Sequence, residues 1–188
     1  MVDTTKFSND PTINDALILV DGLDREVGTA TKLQAHVDGS LHRAFSVVLA
    51  RDTSDGPELL LAKRSEYKYH SANLWANSCC SHPRSGEETI DAAFRRVREE
   101  LGCTALDLRE LCAFVYRAEF DNGLCEHEFD HVVIGRCEGD FAPDPYEVSD
   151  MRWIGFEELS AELRDEPKHF AVWAPIVLTL AMSDILSR

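Results

Sequence analysis

Two strand-like runs, LRELCAFVYRAEF (residues 108–120) and CEHEFDHVVIGRC (125–137), flank the turn-forming stretch Asp121-Asn122-Gly123. Alternating side chains on either side of an Asn-Gly step predict a long antiparallel hairpin. Such a hairpin needs cover, and the remaining segments supply both strands and helices. ALILVDG (16–22) reads as a buried strand ending in a turn, and LHRAFSVVLARD (41–52) with ELLLAKR (58–64) as a second hairpin about TSDGP. Between them and the long hairpin, Ile90, Phe94, Val97 and Leu101 recur at helical steps, and Gly102 stands at the C-cap position. FEELSAELRDEP (156–167) predicts a short helix, and HFAVWAPIVLTLAMSDIL (169–186) an apolar helix interrupted by Pro175 and too short to cross a bilayer. Strands before and after a central helix, with helices at the end, predict a mixed α/β (α+β) sheet covered on both faces.

At 188 residues, 44% hydrophobic and 28% charged, the chain has the composition of one soluble globular domain. The expected organisation is a flexible segment over 1–15 followed by a domain over 16–188. A net charge of −15 argues against nucleic acid or an anionic membrane as partner. The start, MVDTTKFSNDPTIND, lacks the basic and apolar regions of a signal peptide, so the expected location is cytoplasmic and the six cysteines are expected as free thiols.

NSCCSHP (77–83) is the densest chemical stretch. The residue before a proline is extended, which puts Cys80 and His82 on one face of the backbone. The spacing is wrong for a structural zinc site, and Cys79, Cys103, Cys112 and Cys137 read as inert buried thiols. His36 and His42 lie around Gly39, a turn that can return two imidazoles to one place. Glu126 and Glu128 are two apart on a strand, so their carboxylates share a face while His127 points away. On a solvated face they are ordinary acids; on an inward face the pair requires a cation or a retained proton. Three histidines with two carboxylates would favour manganese, iron or zinc over magnesium.

Glu87, Arg95, Val97, Glu99, Glu100 and Gly102 resemble the Nudix box, with Ser81 replacing its opening glycine and Arg96 replacing a metal-binding glutamate. LHRAFSVVL, NSCCSHP, this altered box, YRAEF and EHEFDHV, taken together and in order, closely resemble the type I isopentenyl diphosphate isomerases. The resemblance implies a Nudix-like α/β/α sandwich. It also implies interconversion of isopentenyl and dimethylallyl diphosphate by protonation and deprotonation through a tertiary carbocation. Cys80 and Glu128 would be the opposed acid/base pair, Tyr116 would hydrogen-bond the carboxylate, and Trp173 would face the cation. His36, His42, His82, Glu126 and Glu128 would hold one divalent metal, Mn2+ or Mg2+ with Zn2+ as a further option. Glu100 would hold a diphosphate-bound Mg2+, and Lys32, Arg64, Lys68 and Arg96 would clamp the diphosphate. The expected partner is that small molecule alone, bound by a monomer or weak homodimer. A Nudix-type diphosphate hydrolase is the alternative, and a thiol redox sensor using Cys79-Cys80 a distant third.

Overall fold

A computed structural model describes residues 12–188. Residues 1–11 of the expected flexible segment lie outside the described residues, while Thr12 to Asp15 form a turn that buries Ile13 against Leu124. The strands are β1 (Ala16–Val20), β2 (Glu26–Thr31), β3 (His42–Thr53), β4 (Gly56–Arg64), β5 (Trp75–Ala76), β6 (Cys79–Ser81), β7 (Thr104–Glu119), β8 (Cys125–Glu138) and β9 (Val148–Gly155). The helices are α1 (Lys32–Asp38), α2 (Thr89–Leu101), α3 (Phe156–Asp165) and α4 (Ala174–Leu186). Among the described residues no helix is long and apolar enough to cross a membrane.

β3 organises the mixed sheet. It runs parallel to β8, antiparallel to β6 along its first half, and antiparallel to β4 at its end. Because strand side chains alternate, β3 sends Phe45, Val47 and Leu49 to one face and Val48 to the other. β8 does the same with Val133 against Val132 and Ile134, and β4 with Leu60 against Leu59 and Leu61. One face packs on Ala92, Ala93, Val97 and Leu101 of α2; the other packs on Trp173, Val177 and Leu178 at α4 and on Leu159 of α3. Both faces being covered explains why these strands read as nearly continuous apolar runs. The result is the α/β/α sandwich expected from the sequence.

The long hairpin forms as β7 and β8, and Gly102 closes α2 with φ +71°. A side chain there has no room, since a Cβ would stand 2.5 Å from the Ala142 carbonyl oxygen. The N–H groups of Ala142 and Asp144 instead donate to the last carbonyls of α2, on Leu101 and Glu100. One expectation is corrected. Helix α4 begins at Ala174 rather than 169, because Phe170 and Ala171 are tied to Trp75 as extended chain, and Pro175 occupies the first turn rather than interrupting the helix. Four elements carried no clear sequence signal: β2, α1, β5 and β9.

Candidate active site

Strand register assembles the site. Ser46 of β3 lies opposite Cys80 of β6, His42 of β3 beside Glu128 of β8, and Tyr116 of β7 opposite Glu128. With period-two alternation, Glu126, Glu128 and Asp130 continue the β8 face that carries Val132 and Ile134 toward α4. That face turns from apolar to polar at one end, and a cleft of about 300 Å³ opens there. Cys80, His82, Tyr116, Glu126, Glu128 and Trp173 line it, together with Lys32, Arg64, Lys68 and Arg96. His127 faces away and bonds the Gly39 carbonyl, as the alternation requires.

The direct hydrogen-bond partners of the thiol are all uncharged. Asn77 spends both amide hydrogens on the carbonyls of Val47 and Cys79, at 3.0 Å each, which fixes its Oδ1 toward the cleft. That oxygen lies 3.1 Å from the Cys80 sulfur and 3.2 Å from Trp173 Nε1. It can only accept, so the thiol donates to it while the indole N–H, also 3.2 Å from the sulfur, is shared between them. Ser46 Oγ approaches the sulfur at 3.5 Å and donates to Asp130 Oδ2 at 2.8 Å. Burial, reinforced by the Asp130 charge, pushes the Cys80 thiol up to about 12, so it keeps its proton at neutral pH.

The facing wall is built from ionisable groups. Tyr116 Oη lies 2.6 Å from Glu128 Oε2 and 3.0 Å from Glu126 Oε2, one hydroxyl between two carboxyl groups. The other oxygen of each carboxyl meets imidazole: Glu128 Oε1 is 3.2 Å from His82 Nε2 and 3.5 Å from His42 Nε2, and Glu126 Oε1 is 3.0 Å from His70 Nε2. Burial and the neighbouring Glu128 charge push Glu126 up to about 8. Burial works on Glu128 in the same direction, but the imidazoles of His42 and His82 beside it outweigh burial and hold that carboxyl well below its ordinary range. Burial drives His82 down to about 4 and His36 to about 2.

These residues fit a divalent cation. His36 and His42 donate Nδ1–H to the carbonyls of Lys32 and Ser40, at 2.7 and 2.9 Å, which makes each Nε2 a lone-pair donor to a cation when the ring is neutral, that of His36 lying 3.3 Å from Tyr69 Oη. His42 is fully buried, and its Nε2 has no hydrogen-bond partner among the described residues, an expensive arrangement unless something electron-poor is bound. The donor atoms of His36, His42 and Glu128 lie within 4.8 Å of one another, as do those of His36, His70 and Glu126.

A second pole lies at the end of α2. Buried Glu100 is bonded by Arg96, which also reaches Glu147 at 3.0 Å, and Lys68 pairs with Glu147 as well. Arg64 stacks over the Trp173 ring at 5.1 Å and Lys32 bonds Thr12. The four cations expected from the sequence therefore converge on one cleft, although three of them come from different elements. Glu87 is not part of it; it grips Arg95 through two bonds of 2.7 Å, a helix-entry ion pair. Cys79 is buried on the α2 face, and Cys103 likewise, whereas Cys112 and Cys137 are half-buried rather than sealed in the core. Sequence reasoning missed His70, Asn77, Ser46, Asp130 and Glu147. Of these, Asn77 stood within the quoted NSCCSHP stretch, Ser46 within LHRAFSVVL, and Asp130 continued the Glu126–Glu128 alternation; the others carried no signal.

A NUDIX domain model matches residues 40–174. The chain is 45% identical over 178 residues to the Isopentenyl-diphosphate Delta-isomerase of Photobacterium profundum, spanning 94% of this chain and 99% of that protein. It is 48% identical over 161 residues to Isopentenyl-diphosphate Delta-isomerase 1 of Aromatoleum aromaticum, spanning 86% and 89%. Among solved structures, the Deinococcus radiodurans protein DR0079 superposes with a TM-score of 0.65 at 21% identity, covering 89% of this chain and 98% of that one. The MutT NUDIX hydrolase of Burkholderia pseudomallei gives 0.58 at 21%, covering 74% and 97%. At such identities these two structures speak for the fold alone.

Proposed function

Since the chain belongs to the NUDIX superfamily and, within it, to the isopentenyl-diphosphate Delta-isomerases, we propose that Cys80 and Glu128 are the two proton-transferring groups of that reaction. The activity is interconversion of isopentenyl and dimethylallyl diphosphate, in which an alkene gains a proton on one side and loses one from the other. The observation that carries the assignment is that Cys80 and the Glu128–Tyr116 pair line one cleft, on different strands, with Trp173 forming part of the same lining.

An alkene is a weak base, so the protonated intermediate needs water excluded and an electron-rich neighbour. Trp173 is 3% exposed and its ring can face the developing tertiary cation, an interaction of about 2 kcal/mol or more when desolvated. Tyr116 positions Glu128 and can pass a proton between it and Glu126. Interconversion is reversible, so donor and acceptor exchange roles with its direction. Lys32, Arg64, Lys68 and Arg96 bind the diphosphate, and their local convergence offsets an acidic chain. Divalent-metal dependence fits the family and the donor set. His36, His42, His82, Glu126 and Glu128 would hold one ion, Mn2+, Mg2+ or Zn2+, and Glu100 a Mg2+ shared with the diphosphate. Bound metal supplies positive charge among the carboxylates and beside the diphosphate. The working unit is a single domain over 16–188 acting in the cytoplasm on a small molecule.

Diphosphate hydrolysis is the weaker reading because Arg96 stands where the Nudix pattern has a glutamate, and here it binds Glu99, Glu100 and Glu147. Incubation with isopentenyl diphosphate separates the two. Dimethylallyl diphosphate should accumulate without phosphate release; phosphate release without isomer would reject the isomerase mechanism.

A further inference from the structure

His70 lies on the loop between β4 and β5, away from every motif that singled out the other histidines. Its side chain is 3% exposed. It is fixed by rings on several sides, stacked on Phe120 at 4.6 Å between centroids and edge-on to Tyr69 at 4.6 Å, and its backbone carbonyl accepts from Arg64 at 3.2 Å. An imidazole so confined loses little further freedom on binding an ion.

The carboxylate wall has an approximate internal symmetry that gives His70 a role. Each glutamate turns one oxygen to Tyr116 and the other to histidine, Glu128 toward His82 and Glu126 toward His70. His70 therefore stands to Glu126 as His82 stands to Glu128, and at the shorter distance, 3.0 against 3.2 Å. His36 joins the two halves: its donor atom lies within 4.8 Å of those of His42 and Glu128, and equally of those of His70 and Glu126. The ring of His36 stacks against that of His70 at 6.0 Å.

We infer that His70 is a further ligand residue of the metal centre, completing its Glu126 side. The inference rests on the metal-dependent isomerase reading and adds an imidazole to the donor set. Four imidazoles, from His36, His42, His70 and His82, bias the centre toward manganese, iron or zinc and away from magnesium. The nitrogen-rich half of the cleft and the oxygen-rich half at Glu100 and Glu147 would then select different ions.

The test uses the full-length protein loaded with Mn2+ and carrying isotopically labelled histidine. Pulsed electron paramagnetic resonance counts the imidazole nitrogens bound to the ion, and chelator competition gives the affinity. His70→Gln should show one bound imidazole fewer than the wild type, with Mn2+ affinity lower by about 10–100-fold. Circular dichroism confirms that the variant is folded. If it is not, the wild-type count decides alone: four supports the inference and three overturns it. An unchanged count in a folded His70→Gln protein also overturns it, since an orienting residue would leave the bound nitrogens in number as they were. Isomerisation is measured on the same wild-type preparation. Absence of turnover with His70 bound would remove the functional reading, whereas turnover with His70 unbound would remove only this one.

Discussion

On the β6 side of the cleft the Cys80 sulfur touches Ser46, Asn77 and Trp173, all uncharged; on the β8 side Glu128 touches His42, His82 and Tyr116, with Glu126 beside it. The first wall is complete in itself, for Ser46, Asn77 and Trp173 each have polar partners among the described residues, and the nearby unpartnered oxygen, Asp130 Oδ1, belongs to β8. The second is not, because a buried imidazole nitrogen is left without a hydrogen-bond partner among them. Neutral partners fix where a proton sits whatever is bound nearby; ionisable partners let a cation set it. One wall is thus satisfied by its own side chains, and the other has donor atoms to spare for a cation.

The largest effects should come from removing the group proposed to move a proton on either wall. Cys80→Ala and Glu128→Gln should each lower turnover by about 10²–10⁴-fold with the fold retained. Cys79→Ala, on the α2 face, should stay near wild type; a comparable loss in that variant would assign the chemistry to the wrong thiol. Metal removal should then separate the walls. Chelation should abolish isomerisation and lower the melting temperature, yet leave the alkylation rate of Cys80 by a neutral reagent unchanged. An altered alkylation rate would show that the thiol wall also depends on the ion.

Asn77→Ala probes the thiol wall. It strips an acceptor from both Cys80 and Trp173, and should cost about 1–3 kcal/mol of stability. The activity loss should appear in kcat rather than KM, and a change confined to KM would place Asn77 in substrate binding instead. The smallest effect lies outside the contrast. Glu87, held below the ordinary carboxylate range by its hydrogen bonds from Arg95, contributes stability above that range and loses it as pH falls through the lowered value. Glu87→Gln should therefore reduce stability by under about 1 kcal/mol at neutral pH. The difference from wild type should close in acid, and a deficit that persisted there would point to packing rather than charge.

Legibility in the sequence followed regularity of the backbone. β3, β4, β7 and β8 were readable because their side chains alternate or run apolar between turns, and α2 because its apolar residues recur at helical steps and end at a glycine. Cys80, His82, Glu126 and Glu128 were readable because each pair is two apart on an extended chain, where spacing alone implies a shared direction. β2 was not, since EVGTAT fully buries no side chain and its half-buried positions are only Gly28 and Ala30, too small to give an apolar alternation. The start of α4 was misplaced because Phe170, Ala171 and Trp173 are apolar for contact with Trp75 and the core, not for helix formation. His70 and its neighbours lie on irregular backbone, with Ser71 and Asn73 at positive φ, where periodicity says nothing about direction. Ser46 matters through Cys80 and Asp130, and Asn77 is held by Val47 and bonded by Trp173, partners far away in sequence that only the fold brings near.

The close approach of Gly102 to Ala142 reaches further than helix termination. The chain joining β8 to β9 is splinted against the end of α2 by two backbone bonds, and a few residues later it delivers Glu147 to Lys68 and Arg96. Any side chain at position 102 must push that splint outward and draw Glu147 with it. The balance of charge among Lys68, Arg96 and Glu147 is in this sense set from behind, by a hydrogen atom on a residue that never reaches the cleft.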